Sequence, residues 1–308
     1  MDKIGICGGG LIGASWALGF SSSKYKVFVH DNNKKVRDKF LEILKSLYED
    51  LSIIKNISFD EIESNIIICD TIEEICTDST LIQESIIEDL KLKKAIFIEL
   101  EKFSNKETIL ASSSSYLLPS KISSQIIHKN RCIVAHPALP PHVVPFVEIC
   151  PSEKTSDVTI QKAKKIYKSA EYIPIVLKKE IEGFVLNRLQ GALLNEAVRL
   201  HEEGYASIED IDVSLKHALG IRWAFLGPFE IMDLNAPGGI KDSFTRYRPG
   251  IKNLAEQQNS IPDYSDNYIL KLEKEQRLRL KSSDRDNRIK KRNKLIALVR
   301  KLKLENGE

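Results

Sequence analysis

The sequence predicts an α/β chain: a doubly wound, mainly parallel sheet followed by a smaller, all-helical part. Three observations carry this. Short β-branched runs alternate with amphipathic stretches through the first part of the chain, a glycine-rich turn follows the first of those runs, and beyond Lys179 no convincing strand-like run occurs. Strand and helix alternating at this spacing build right-handed βαβ units, whose strands lie parallel in one sheet.

In chain order the strand candidates are Ile4–Cys7, Val27–Val29, Ile66–Cys69, Thr80–Ile82, Thr108–Ala111, Cys132–Ala135, Val147–Cys150 and Ile173–Val176. Lys34–Leu51, Leu90–Phe103 and Ser156–Ser169 are the amphipathic segments between them, and Leu11–Phe20 is a helical stretch opened by the glycine turn. Around residues 178–183 the character changes. Val185–Glu203 is one long helix-patterned stretch without internal proline, ending before Gly204, and Ile208–Ala218 is a second. The expected division is therefore a sheet domain over residues 1–179 and a helical domain over 180–308. The last segment, Arg285 to Lys303, is rich in Lys and Arg, with Ile289, Ile296, Val299 and Leu302 at roughly helical spacing. It reads as a helix with one packed stripe and a solvated basic face; a basic patch for an anionic ligand or partner is the alternative.

With 308 residues the chain has material for two domains. Its 46 basic and 43 acidic residues leave a net charge of +3, which gives no reason to expect a nucleic-acid or membrane partner. No apolar run reaches the roughly 18 residues a bilayer-spanning helix needs. Cys7, Cys69, Cys76, Cys132 and Cys150 are scattered, odd in number and free of ligand spacing, so they read as reduced, mostly buried thiols, with no metal expected. A first strand at Lys3 leaves no room for a signal peptide ahead of it, and the expected location is the cytoplasm.

The first run leads straight into Gly8-Gly9-Gly10-Leu11-Ile12-Gly13, which satisfies G-x-G-x-x-G in the setting that gives it meaning, after a strand and at the start of a helix. Gly8 makes the tight turn, Gly10 lets the backbone approach a pyrophosphate, and Gly13 allows close helix packing. The pyrophosphate would rest on the free N–H groups at the helix start. Asp31 ends the second run, Val27-Phe28-Val29-His30-Asp31, where a carboxylate can accept from both ribose hydroxyls and would repel a 2′-phosphate. NAD is thus favoured over NADP. The alternative for Asp31 is a helix N-cap ahead of Asn32-Asn33. Arg37, on the next helix, reads as a surface residue.

A second signal is a pair: His136 in Ala135-His136-Pro137, and Glu148 in Phe146-Val147-Glu148-Ile149. His136 ends a strand, where ligands bind in an open α/β sheet. Its imidazole can accept an alcohol proton near neutral pH. A carboxylate on the other ring nitrogen would fix the tautomer and balance the imidazolium, although spacing alone does not bring the two together, and a structural histidine beside proline is the competing reading.

These residues carry a resemblance. The sequence is similar to the 3-hydroxyacyl-CoA dehydrogenase family, nearest to its short-substrate branch acting on small hydroxy acids such as L-gulonate, through essentially the whole chain. The markers are Gly8–Trp16 (GGGLIGASW), Glu88–Lys93 (EDLKLK), Ser112–Lys121 (SSSSYLLPSK), Cys132–Pro141 (CIVAHPALPP), Glu182–Gln190 (EGFVLNRLQ) and Gly220–Pro228 (GIRWAFLGP). The resemblance implies a Rossmann-type NAD-binding domain and a helical substrate and dimerisation domain, hence a homodimer. It implies His136 as catalytic base with Glu148 as its partner, Ser115 and Asn187 holding the reacting oxygen, and cofactor contacts at Leu11, Ile12, Asp31, Glu88 and Lys93. Taken alone, Glu88 and Lys93 read as helix-start and surface charges and the serine run as a flexible loop.

One position departs from the pattern: relatives carry Asn three residues after the histidine, where this chain has Leu139, which removes an amide near the expected site. For a substrate carboxylate the candidate is Arg222, in Gly220-Ile221-Arg222-Trp223, because guanidinium matches a carboxylate in two bonds and a thioester offers no such group. A structural salt bridge is its alternative role. The expected reaction is NAD-dependent oxidation of the 3-hydroxyl of a small acid, L-gulonate first. A 3-hydroxyacyl-CoA or carnitine-type dehydrogenase, or a crystallin-like NAD-binding protein with weak catalysis, stands beside it.

Overall fold

The computed structural model describes residues 2–307. By internal contacts the chain divides into two units, Met1–Arg188 with Asn293–Lys301, and Leu189–Arg292 with Leu302–Glu308.

The first unit runs β1 (Lys3–Cys7), α1 (Leu11–Ser22), β2 (Lys26–His30), α2 (Lys34–Asp38), α3 (Phe40–Leu51), α4 (Phe59–Glu63), β3 (Ile66–Ile68), α5 (Ile72–Cys76), β4 (Ser79–Glu84), α6 (Leu90–Phe103), β5 (Ile109–Ser112), α7 (Pro119–Ile122), β6 (Cys132–Pro137), β7 (Phe146–Pro151), α8 (Asp157–Ser169) and β8 (Ile173–Val176). The strands form one sheet in the order β3-β2-β1-β4-β5-β6-β7-β8. All neighbours are parallel except β6 and β7, which pair antiparallel. The mainly parallel, doubly wound sheet read from the sequence is the one observed, and each strand-like run lies in or overlaps a strand.

Strand side chains alternate between two cores, as the period of two requires. Ile4, Ile6, Leu81, Ile109, Ala111, Ile133, Ala135, Val147 and Ile149 face one core, together with Trp16, Phe20, Phe40, Leu44 and Tyr167 from the covering helices. Cys7, Ile82, Leu110, Cys132, Val134 and Cys150 face the other, with Ile75, Cys76, Phe97, Leu100 and Phe184. Burying an apolar side chain of this size contributes about 1.5–3 kcal/mol, and α1 is buried along most of its length, so its sequence shows little amphipathic contrast. Trp16 stacks on Phe20 at 5.7 Å and tilts against Tyr172 at 4.8 Å. All five cysteines are free and buried. Burial pushes the Cys69 thiol up to about 11 and those of Cys76, Cys132 and Cys150 up to about 12, so they stay protonated.

The helical part contains α9 (Leu186–Glu202), α10 (Ile208–Ser214), α11 (Gly220–Trp223), α12 (Pro228–Leu234), α13 (Gly239–Gln257), α14 (Asp266–Arg279) and α15 (Arg285–Glu305). Within the second unit, Arg199 donates to the carbonyls of Gln257 at 2.8 Å and Ser260 at 2.8 Å, closing the C-terminal end of α13. No helix among the described residues is long and apolar enough to cross a membrane.

The amphipathic segment Lys34–Leu51 holds two helices, α2 and α3, separated at Lys39, whose φ of −98° and ψ of 0° leave the helical basin. One expectation needs correcting. In the last segment the inward face of α15 is Asn293, Ile296, Ala297 and Arg300, not the stripe Ile289, Ile296, Val299 and Leu302. Ala297 is buried, while Ile289, Val299 and Leu302 stay exposed. The small alanine lets the helix approach closely, and the Arg300 guanidinium donates to the Val143 carbonyl at 3.0 Å.

Candidate active site

In an open α/β sheet the ligand crevice lies at the carboxyl ends of the strands, where the strand order reverses. Here the reversal falls between β1 and β4. Cys7 leads into the glycine loop. Gly8 has φ +105°, and a Cβ there would lie 2.8 Å from the Ser85 carbonyl carbon; one on Gly13 would lie 1.8 Å from the Gly8 oxygen. Only glycine fits either place. The amides of Leu11, Ile12 and Gly13 precede the first bond of α1, Ala14 N–H to Gly10 O at 2.8 Å, and no side chain caps this helix start. The N-terminus of α1 is left open to an anion.

Asp31 follows β2 and holds this loop: one carboxylate oxygen accepts from the Gly9 N–H at 2.8 Å, the other from the Asn33 N–H at 2.8 Å. The cap of α2 is Asn33, not Asp31. Arg37 is not a free surface residue. Its guanidinium is mostly covered and donates to the Asp31 carbonyl at 2.7 Å and to Asp70 at 3.1 Å.

The strand alternation that separates the two cores also decides where the chemistry collects. Glu84, Ser112, His136 and Glu148 share parity with Ile82, Leu110, Val134 and Cys150, so all four lie on one face. His136 and Glu148 are register partners across the antiparallel β6–β7 pair. Nδ1 of His136 lies 2.9 Å from one Glu148 carboxylate oxygen, and the other oxygen accepts from the amides of Val185 and Leu186, both at 2.9 Å. Glu148 is wholly buried and His136 nearly so. A carboxylate so held accepts from Nδ1–H, which leaves Nε2 as the basic ring nitrogen. The Phe184 ring packs on the imidazole at 5.5 Å, from a backbone in the left-handed region at φ +49°.

The serine run is not a flexible loop. Ser112 Oγ donates to Glu84 at 2.5 Å. Ser113 Oγ accepts from Trp16 Nε1 at 3.1 Å and from the Gln83 amide at 2.7 Å. Ser114 Oγ donates to Glu88 at 2.5 Å. Ser115 carries its backbone to Glu88, whose carboxylate accepts from its N–H at 3.0 Å, and to Asn187, whose amide donates to its carbonyl at 2.8 Å. The hydroxyl of Ser115 has no partner among the described residues. Three serine hydroxyls build the loop and the fourth takes no part in it.

The chain matches the model described as 3-hydroxyacyl-CoA dehydrogenase, NAD binding domain, over residues 3–181, and its C-terminal domain over residues 183–283. It belongs to the 3-hydroxyacyl-CoA dehydrogenase family. A lambda-crystallin homolog of Homo sapiens is 40% identical over 264 residues, covering 84% of this chain and 82% of that one. An L-carnitine dehydrogenase of Oceanobacillus iheyensis is 32% identical over 253 residues, covering 82% of each. Among solved structures, a 5-formyl-3-hydroxy-2-methylpyridine 4-carboxylic acid 5-dehydrogenase superposes with a TM-score of 0.84 at 22% identity, covering 98% of each chain, which speaks for the fold. Members of the 3-hydroxyacyl-CoA dehydrogenase family are NAD-dependent dehydrogenases acting on CH–OH donors, and the domain with the glycine loop is their NAD-binding domain.

The site of this family member contains residues that the sequence reading passed over. Glu84 ends β4, wholly buried, and takes Lys93 Nζ at 2.7 Å and the Ile86 N–H at 2.7 Å as well as Ser112. Burial pushes its carboxyl up from the ordinary value, against the pull of the Lys93 ammonium. Lys93 is 1% exposed and also reaches Glu88 at 3.5 Å. Its ammonium thus belongs to an internal network rather than the surface. An acid closing a buried strand was the available signal for Glu84. Nothing local marks Phe184. In the second unit, Arg222 sits exposed on α11 and forms no ion pair with any described residue, so the structural salt bridge considered for it is not made. Leu139 is largely exposed in the connection between β6 and β7.

Proposed function

We propose that this chain oxidises the 3-hydroxyl of a small hydroxy acid with NAD, taking L-gulonate to 3-dehydro-L-gulonate as the first candidate. The observation that carries the reading is the His136–Glu148 pair: a nearly buried imidazole bonded at Nδ1 to a buried carboxylate, with no partner for Nε2 among the described residues, at the carboxyl edge of an NAD-binding sheet.

The substrate hydroxyl lies between Nε2 of His136 and the side chains of Ser115 and Asn187. His136 takes the hydroxyl proton at Nε2, and the hydride on the same carbon would pass to bound NAD. Glu148 balances the charge that appears on imidazole, and the Val185 and Leu186 amides hold its carboxylate in place. Ser115 and Asn187 would donate to the developing alkoxide, the electrostatic part of catalysis. NAD would be held by Gly8, Gly10, Leu11, Ile12 and Gly13 at its pyrophosphate, by Asp31 at its ribose and by Glu88 beyond them; Lys93, expected as a direct contact, is 1% exposed and would act through Glu88 instead. NAD supplies the hydride acceptor.

Arg222 binds the substrate carboxylate; its exposed guanidinium without an internal counter-ion supports this. An L-carnitine substrate is the second reading, favoured by the kinship with an L-carnitine dehydrogenase and by exposed Trp223 and Phe225 beside Arg222. We further propose a homodimer formed through the helical domain, residues 180–308. On α13 the exposed Ile240, Phe244, Tyr247, Ile251 and Leu254 recur every three or four residues, an apolar stripe only partly covered by the described residues.

The test is NADH formation with L-gulonate, L-carnitine, 3-hydroxybutyrate and 3-hydroxybutyryl-CoA. Turnover of L-gulonate above the others is expected. Binding of NADH without turnover of any of the four would leave only a dinucleotide-binding, crystallin-like role.

A further inference from the structure

We propose that Glu84 is a positioning residue that fixes the Ser115 hydroxyl through Lys93 and Glu88. The proposal rests on the role given to Ser115 above.

Three charges run in a line inside the first unit. Glu84 Oε1 takes Lys93 Nζ at 2.7 Å and the Ile86 N–H at 2.7 Å, while Oε2 takes Ser112 Oγ at 2.5 Å. Lys93 Nζ also donates to the Ile86 carbonyl at 3.3 Å and stands 3.5 Å from Glu88 Oε2. Glu88 Oε1 accepts from Ser114 Oγ at 2.5 Å and from the N–H groups of Ser115 at 3.0 Å and Tyr116 at 3.2 Å. The loop that presents Ser115 is thus tied at its start by Glu84 and at its tip by Glu88, and Lys93 joins the two ties.

A buried charge is costly unless paired in good geometry, and an apolar group of the same size is often no worse for stability. The wholly buried Glu84 and the nearly buried Lys93 are therefore poor devices for stability and good ones for a single arrangement. Without the Glu84 charge, Lys93 has one carboxylate left, Glu88. The ammonium closes on it and draws it from the Ser115 amide. A displacement of about 1 Å at a reacting group costs up to 10²-fold in rate.

The experiment is a double-mutant cycle of Glu84→Gln and Ser115→Ala, with rates expressed per NADH bound. Glu84→Gln is expected to lower kcat by about 10- to 100-fold while leaving NADH stoichiometry intact, and Glu84→Asp to restore part of it. The double variant is expected to be no slower than Ser115→Ala alone, because Glu84 acts only through that hydroxyl. Losses that multiply, or a normal kcat per bound NADH in Glu84→Gln, would overturn the positioning role and leave the proposed function standing. Should Ser115→Ala itself turn over normally, the role of Ser115 in the proposed function falls, and the Glu84 proposal with it. If Glu84→Gln does not fold, Glu84→Gln with Lys93→Met, which removes both buried charges, is read against Ser115→Ala in the same way.

Discussion

Replacing Glu148 with Gln removes one charge and almost no volume, and its consequence can be worked from three distances. The carboxylate accepts from the amides of Val185 and Leu186 at 2.9 Å and faces Nδ1 of His136 at 2.9 Å, with no solvent access. In the variant the amide oxygen still serves the two backbone N–H groups, so the fold is expected to survive. The NH2 group then faces Nδ1, which must accept, and the imidazole proton moves to Nε2. That nitrogen can no longer take a proton from substrate. A lost charge-assisted hydrogen bond of about 1.5–3 kcal/mol corresponds to roughly 10- to 150-fold in rate. The wrong tautomer adds to this, up to the ~10⁴-fold that general-base assistance supplies. The expected fall in kcat is therefore about 10²- to 10⁴-fold, measured as NADH formation at saturating substrate. NADH binding, followed by fluorescence, should stay within about twofold of the parent, because nothing in the glycine loop changes. A variant that retains kcat within about threefold while binding NADH normally refutes the reasoning, since the tautomer would then not matter.

Asp31→Ser should raise the Michaelis constant for NAD about tenfold or more and that for NADP far less, through loss of charge-assisted ribose bonds; unchanged cofactor preference would contradict the ribose assignment. Arg222→Met should raise the Michaelis constant for a hydroxy acid and leave that for an acyl-CoA alone, and an equal effect on both would remove Arg222 from substrate recognition. Glu88→Gln should destabilise the protein at neutral pH and progressively less in acid. Burial pushes the Glu88 carboxyl up, but the Ser114 hydroxyl, Lys93 and the Tyr116 and Ser115 amides outweigh it and hold it below its ordinary 4.5. A depressed carboxyl contributes stability above its unfolded value and loses it as pH falls through the folded one, so the difference in Tm between parent and variant should narrow below about pH 4.5; a constant difference would deny the linkage.

The sheet was legible because its signal is local and repeated. Each β-branched run is short, bounded and followed by a helix, and right-handed crossovers then leave little freedom. The antiparallel β7 was not legible, since the runs at 132–135 and 147–150 look alike and the short connection between them only excludes a crossover helix. The division of Lys34–Leu51 into two helices was not legible either: its apolar periodicity continues across Lys39, and the break is a backbone event without a proline or glycine to announce it. In the C-terminal segment, period alone chose Ile289, Val299 and Leu302 as the packed stripe, whereas the packed face is set by the size of Ala297.

The site shows the same division more sharply. Gly8, Gly13 and Asp31 can be read from sequence because each owes its place to backbone geometry within one βαβ unit. His136 and Glu148 could be named as chemistry but not joined, because their meeting depends on register across an antiparallel pair that no local pattern encodes. Once that register is fixed, alternation does the rest: residues of even number in β4, β5, β6 and β7 face one side, and four of them are Glu84, Ser112, His136 and Glu148. The same parity explains why Glu84 was overlooked. As one acid among 43 it has no distinguishing spacing, and its meaning comes only from Ser112 on the next strand and Lys93 on the following helix. A buried acid at the carboxyl end of a parallel strand, with a lysine nine residues on in the following helix, is therefore a pattern to test in sequence as a buried ion pair, and Ser115 shows what such a pair can hold in place.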